Sequence, residues 1–148
     1  MAARTANLFV FFFFVFIPAT ILQAESQVRI EVKTVLASQE AKYHDPQLSN
    51  LINELQSVFR YTSYRLLSQN RLSLATGQTG MVRLPGRRVL KITPAGVRGG
   101  RAELRLAILK NKNAVFQTVI RLRNQSSITV GGPKHQKGYL LFNIFASY

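Results

Sequence analysis

Val28, Ile30 and Val32 alternate with Arg29, Glu31 and Lys33, the period-two pattern of a strand with one buried face. A polar stretch from Ser38 to His44 follows. Asp45–Pro46 then supplies an N-cap and a first-turn proline, whose missing N–H is no loss at that position. Behind it, Leu48, Leu51, Ile52, Leu55, Val58 and Phe59 recur at helical spacing, with Asn50, Asn53, Glu54, Gln56 and Ser57 between them. The spacing predicts one amphipathic helix over Pro46–Phe59.

From Tyr61 onward the pattern is strands and turns. Tyr64–Leu74 reads as extended and ends at Thr76–Gly80, while Met81–Leu84 and Arg88–Thr93 flank Pro85–Gly86 as a hairpin. Pro94–Ala95–Gly96 and Gly99–Gly100 punctuate the next connection. Ala102, Leu104, Leu106 and Ile108 on one side of Lys110–Asn113, and Phe116, Thr118, Ile120 and Leu122 on the other, predict a second hairpin with a four- or five-residue loop. Ser127–Val130 leads into a turn at Gly131–Gly132–Pro133, and Gly138 opens a last strand, Tyr139–Tyr148. That strand is apolar on both faces, which places it inside a layered fold or at an interface. About seven short strands and one early helix predict a mainly β (α+β) domain, an antiparallel β-sandwich with an N-terminal amphipathic helix against it.

The N-terminus has a different character. Leu8–Ile17 is an uncharged apolar run behind Arg4, broken by Pro18 and followed by neutral residues to Ala24. This is the order of a secretory signal peptide, residues 1–24, with cleavage after Ala24. The alternative is a retained anchor, for which Leu8–Ala24 lies at the short end of what spans a bilayer. One domain, residues 25–148, remains. An exported domain without a single cysteine points to the bacterial periplasm, outer membrane or exterior rather than to a disulfide-built eukaryotic secreted protein.

Charge sharpens the picture. The whole chain carries 20 Lys and Arg against 6 Asp and Glu, and from Leu55 onward Glu103 is the lone acid. Arg83, Arg87, Arg88 and Lys91 cluster around one hairpin, and Arg98, Arg101 and Arg105 around the next. These seven are the candidate polyanion-binding residues, because strand alternation gathers such side chains on one solvent face. The partners they suit are lipopolysaccharide, anionic glycans, extracellular DNA or an anionic membrane surface. Export argues against an intracellular nucleic-acid partner, and neither an RNP-type aromatic motif nor a helix-turn-helix is visible.

Catalytic material is sparse. The lack of cysteine excludes a thiol nucleophile, a Cys-ligated zinc and an iron–sulfur cluster, and no cofactor is expected. His44 and His135 read as loop histidines. A glycoside hydrolase needs two carboxylates, so Glu103 would have to pair with Glu25, Glu31, Glu40, Asp45 or Glu54. Thr76–Gly80 and Gly131–Pro133 lack the Gly-Lys-Ser/Thr ending of a P-loop and read as turns. The last strand is more suggestive. Leu140, Phe142, Ile144 and Ala146 alternate up to a terminal aromatic, which resembles the closing strand of bacterial outer-membrane barrels, although the arginines on the other strands do not suit a lipid-facing wall. Tyr139, Leu141, Phe145 and Tyr148 are the candidate partner-docking residues on it.

Gly77–Gln78–Thr79 and Ser126–Ser127–Ile128–Thr129–Val130–Gly131–Gly132 resemble strand-turn motifs of the secretins, the outer-membrane pore proteins of secretion and pilus machinery. The β–helix–β order from Val28 to Leu74 is similar to their small periplasmic modules. Here the two motif elements stand in separate segments, and Pro133 follows the Gly-Gly pair where the family has an apolar residue. The resemblance implies an accessory or truncated relative of envelope secretion machinery. The expectation is therefore an exported, non-enzymatic envelope protein that serves as an interaction module of a larger assembly, or alternatively a basic polyanion-binding protein.

Overall fold

A computed structural model describes residues 26–148; residues 1–24, expected to be a signal peptide, and Glu25 lie outside the described residues. Nine strands form among the described residues: β1 (Gln27–Ser38), β2 (Tyr43–His44), β3 (Ser63–Ala75), β4 (Gly80–Leu84), β5 (Arg88–Arg98), β6 (Arg101–Lys110), β7 (Asn113–Arg123), β8 (Ser126–His135) and β9 (Gly138–Ser147). Sheet A has the order β2-β3-β1-β9-β8, and sheet B the order β4-β5-β6-β7. One short helix, α1 (Ile52–Val58), follows a 3-10 turn at Pro46–Leu48. The fold is mainly β, in two packed sheets.

The period-two patterns decide which side chains meet. Val28, Ile30, Val32 and Leu36 of β1 and Leu140, Phe142, Ile144 and Ala146 of β9 share one buried cluster with Val82, Leu84, Leu90, Ile92, Leu104, Leu106, Ile108, Ile120 and Leu122 of sheet B. Burial of branched aliphatics on this scale, about 1.5–3 kcal/mol for each fully covered side chain, holds the two sheets face to face. A second cluster lies on the opposite side of sheet A, where Val35, Ala37, Tyr64 and Leu141 meet Leu48, Leu51 and Leu55. β9 is thus covered on both faces over Leu140–Ile144.

Several expected boundaries are corrected. The single helix expected over Pro46–Phe59 is a 3-10 turn and a seven-residue α-helix. Asp45 caps the turn by accepting from the Gln47 N–H at 3.0 Å, and i→i+3 bonds from Leu48, Ser49 and Leu51 carry the tight winding through Ser49 and Asn50, residues whose side chains compete with helical backbone bonding. Val58, expected on the buried stripe, is 65% exposed. The helix also follows a full strand rather than opening the domain. The loop expected at Lys110–Asn113 is a two-residue turn, Asn111–Lys112, with φ of 50° and 65°, the left-handed pair that matches strand twist.

Gly131–Gly132–Pro133 is not a turn but an irregular stretch inside β8, where the pairing with β9 shifts between Gly131 and Lys134. A Cβ on Gly132 would collide with the Phe142 ring and stand 2.9 Å from the Leu140 carbonyl oxygen, so only glycine lets β8 press this closely on β9. The two sheets are open, each with edge strands, so a membrane barrel does not describe this arrangement.

Candidate anion-binding face

The outer face of sheet B is built by the residues between its buried aliphatics. Pairing across β4 to β7 sets them in rows: Arg83, Val89 and Leu109; then Met81, Lys91, Ala107 and Gln117; then Thr93, Arg105 and Val119; then Gly96, Glu103 and Arg121; and last Arg98, Arg101 and Arg123. Glu103 is engaged by Arg121, whose Nε donates to Glu103 Oε2 at 3.2 Å. Among the described residues no carboxylate lies within ion-pairing distance of Arg83, Lys91, Arg98, Arg101, Arg105 or Arg123; the other acidic pairs are Glu31 with Lys33 and Arg71, and Glu40 with Lys137. Asp45 is occupied with backbone N–H groups and Glu54 accepts from Thr129.

The final row is electrostatically costly. Arg101 stands directly opposite Arg98 on one side and Arg123 on the other, and like charges opposed across strands destabilise a sheet. Higher on the same face, Lys91, Thr93, Arg105, Ala107, Gln117 and Val119 surround a depression of ≈ 490 Å³, with Thr79 at its rim. It exists because Ala107 is the short side chain among long ones. Thr79 Oγ1 and Thr93 Oγ1 are 2.7 Å apart and fix that wall by a mutual hydrogen bond.

Of the seven polyanion candidates, five (Arg83, Lys91, Arg98, Arg101 and Arg105) project from this face. Arg87 sits in the β4–β5 turn at φ 57°. Arg88 departs from the expectation. It shares the inward parity of Leu90 and Ile92, so it tucks under the rim, where Nη2 donates to the Lys134 carbonyl at 3.1 Å and Nη1 is buried without a partner. Arg121 and Arg123 are not among the seven candidates, although the alternation over Val119–Arg123 already points them to the solvent face; pairing places them beside Glu103 and Arg101.

The docking candidates separate. Tyr139 and Phe145 are 44% and 37% exposed on the outer face of sheet A, and Tyr61 packs on Tyr139 with ring centroids 6.2 Å apart. Leu141 is 1% exposed in the cluster beneath α1, so its side chain belongs to internal packing. Tyr148 packs against the inter-sheet core, and its hydroxyl donates to the Gly100 and Leu122 carbonyls at 2.9 and 3.2 Å. That ring clamps the end of sheet B.

The remaining chemical groups are dispersed. Glu31, Glu54 and Asp45 lie on the sheet A side, away from Glu103, and Glu25 lies outside the described residues. Arg71, hydrogen-bonded to Glu31 at 2.8 Å, holds the Glu31 carboxyl below the usual range against the opposing effect of burial. Burial pushes the Tyr64 phenol up; its hydroxyl donates to the Phe59 and Leu55 carbonyls and accepts from the Tyr61 N–H. His44 meets Gln56 at 3.2 Å, and His135 closes β8. Among the described residues no group of three His, Asp or Glu side chains gathers as a metal site would require. The two secretin-like segments fall on the β3–β4 connection and on β8. No known family model, curated protein or solved structure matches this chain.

Proposed function

We propose that this chain is an exported, non-enzymatic module of the bacterial envelope that binds an anionic polymer across the outer face of sheet B. In this reading the two sheets form an antiparallel sandwich. The helix, apolar toward sheet A through Leu51 and Leu55, covers the far side and leaves the basic face open. The observation that carries the reading is the row Arg98–Arg101–Arg123. Three cations opposed across neighbouring strands with no acid between them oppose folding, and a multivalent anion relieves them all at once.

The test is retention of the purified protein on an immobilised anionic polymer across a salt series. The wild type elutes late, and Arg98→Gln/Arg101→Gln/Arg123→Gln elutes at clearly lower salt. A control that neutralises Lys42, Arg60 and Arg65, exposed residues outside sheet B, removes the same charge and shifts elution less. Equal shifts for the two triple variants would reduce the face to a contribution from net charge.

The exposure of Tyr139 and Phe145 on the outer face of sheet A favours a second reading, an accessory module docked on secretion or pilus machinery. In crosslinked envelopes, discrete proteins retained at high salt and lost on Tyr139→Ser/Phe145→Ser would support it.

A further inference from the structure

The depression over Ala107 differs from the rest of the basic face, because it combines cations with neutral hydrogen-bonding groups around a small apolar floor. We propose that it is a subsite for one acidic sugar residue of a polysaccharide chain, with the row Arg98–Arg101–Arg123 engaging anionic groups further along the same chain. The proposal rests on the reading of sheet B as an anion-binding face and names its ligand class.

Three features fit an acidic glycan, and the last two favour it over a nucleic acid. Lys91 and Arg105 come from adjacent strands at positions two residues out of register, so both cations flank the floor and can hold one carboxylate or sulfate between them. Thr79, Thr93 and Gln117 supply hydroxyl and amide groups around the same hollow, and these match the ring hydroxyls of a sugar, which act both as donors and as acceptors. A phosphodiester backbone offers acceptors only, so it uses the donors of these groups and leaves their acceptor oxygens unused. Finally, the rows of this face contain no aromatic side chain. Single-stranded nucleic acids are held by bases stacked on aromatics, whereas Ala107 and Val119 offer a patch the size of one sugar face. The two cationic sites lie four residues apart along β6, from Arg105 to Arg101, about 13 Å at the strand rise of ~3.3 Å per residue. A bound chain therefore spans several units and gains avidity from both ends.

The experiment measures fluorescence anisotropy with three labelled probes at one moderate salt concentration: an oligogalacturonate, a neutral dextran of equal length, and a single-stranded DNA of equal charge. The oligogalacturonate is expected to bind at least about tenfold more tightly than the DNA, with dextran undetectable. Ala107→Trp fills the hollow and leaves every charge in place, and should weaken oligogalacturonate binding by about tenfold with little change for the DNA. Gln117→Ala removes one neutral partner at an exposed position, and should weaken the glycan by several-fold. Gln117→Ala keeps the test open if Ala107→Trp fails to fold, and a far-ultraviolet circular dichroism spectrum identifies that failure. DNA bound as tightly as the glycan, or Ala107→Trp folded and binding both probes like the wild type, overturns the subsite. In that case continued sensitivity to Arg98→Gln/Arg101→Gln/Arg123→Gln would leave the broader anion-binding reading standing. No probe bound at that salt concentration would overturn both.

Discussion

Replacing Arg101 by Glu should stabilise this protein and, on the proposed reading of sheet B, weaken its binding of an anionic polymer. Arg101 faces Arg98 and Arg123 directly across β5–β6 and β6–β7, and a cross-strand pair contributes roughly 0.2–1 kcal/mol, with its sign set by the charges. The substitution turns two repulsive pairs into two attractive ones. At the lower end of that range each pair improves by about 0.4 kcal/mol, so the total gain is about 0.8 kcal/mol. For a domain of this size that is a rise of roughly 3 °C in Tm. All three side chains are exposed, so the gain must shrink with salt: most of it is present near 0.01 M ionic strength, and little at about 1 M, where the screening length is ~3 Å. The assay is thermal unfolding by circular dichroism at both ionic strengths, beside salt-dependent polymer binding. Affinity should fall at low salt, and the slope of log K against log salt should flatten by more than about one unit, since a cation is both lost and replaced by an anion. An Arg101→Glu protein that melts lower than wild type at low salt would refute the reasoning, because the row would then be held together by something other than its charges. Unchanged polymer binding would refute the functional half.

Four further outcomes follow from the packing. Gly138→Ala should cost at least ~2 kcal/mol, because the added methyl would overlap the Ala37 carbonyl oxygen in the adjacent strand; a Tm within a degree or two of wild type would contradict that geometry. Thr34→Val should leave stability unchanged or raise it by about 1 kcal/mol, since the buried Thr34 Oγ1 has no hydrogen-bond partner and valine keeps its shape; denaturant unfolding would read it. Tyr64→Phe should cost about 1–2 kcal/mol by removing the donor to the Phe59 and Leu55 carbonyls, with fraying of α1 visible in amide exchange. Glu31 has a folded-state pKa below its ordinary value. Its contribution is therefore present above the ordinary carboxylate range and is lost as pH falls through the depressed value. Arg71→Gln should move the Glu31 titration upward in carboxyl-detected NMR and flatten that part of the stability profile.

The sequence carried the strand patterns well where one face is buried. Val28–Val32, Ala102–Ile108 and Ile120–Leu122 alternate without ambiguity, and sheet B's inner and outer faces follow from them. What escaped depends on contacts between distant segments. Nothing local announces that β8 runs through Gly131–Gly132–Pro133, because the reason is the Phe142 ring and the Leu140 carbonyl pressing on Gly132 from β9. Likewise the helix stripe counted Val58 as buried, but the contact line runs through Leu51, Leu55 and Phe59 and leaves Val58 to one side. Arg88 reads as one more surface cation in a basic hairpin; only the in–out parity with Leu90 and Ile92 reveals that it turns inward. The depression at Ala107 was not legible, since it depends on which short and long side chains the register sets side by side across β5, β6 and β7.

Those same pairings give the two outer faces of the molecule different characters. On sheet A the odd positions of β1 change along the strand from Arg29, Glu31 and Lys33 to Val35 and Ala37, so half of the face is closed by the helix, and on the other half Lys33 and Arg71 are both paired with Glu31. On sheet B no element among the described residues covers the outer face, and among them one carboxylate answers a field of cations. A fold selected only for stability would place acids opposite Arg98 and Arg105, where each pair would contribute a few tenths of a kcal/mol. Under the proposed reading, the absence of such acids among the described residues is what a binding surface for a multivalent anion requires: repulsion stored across β5, β6 and β7 would be released when the anion arrives, so that a cost borne in the free protein would become affinity in the complex.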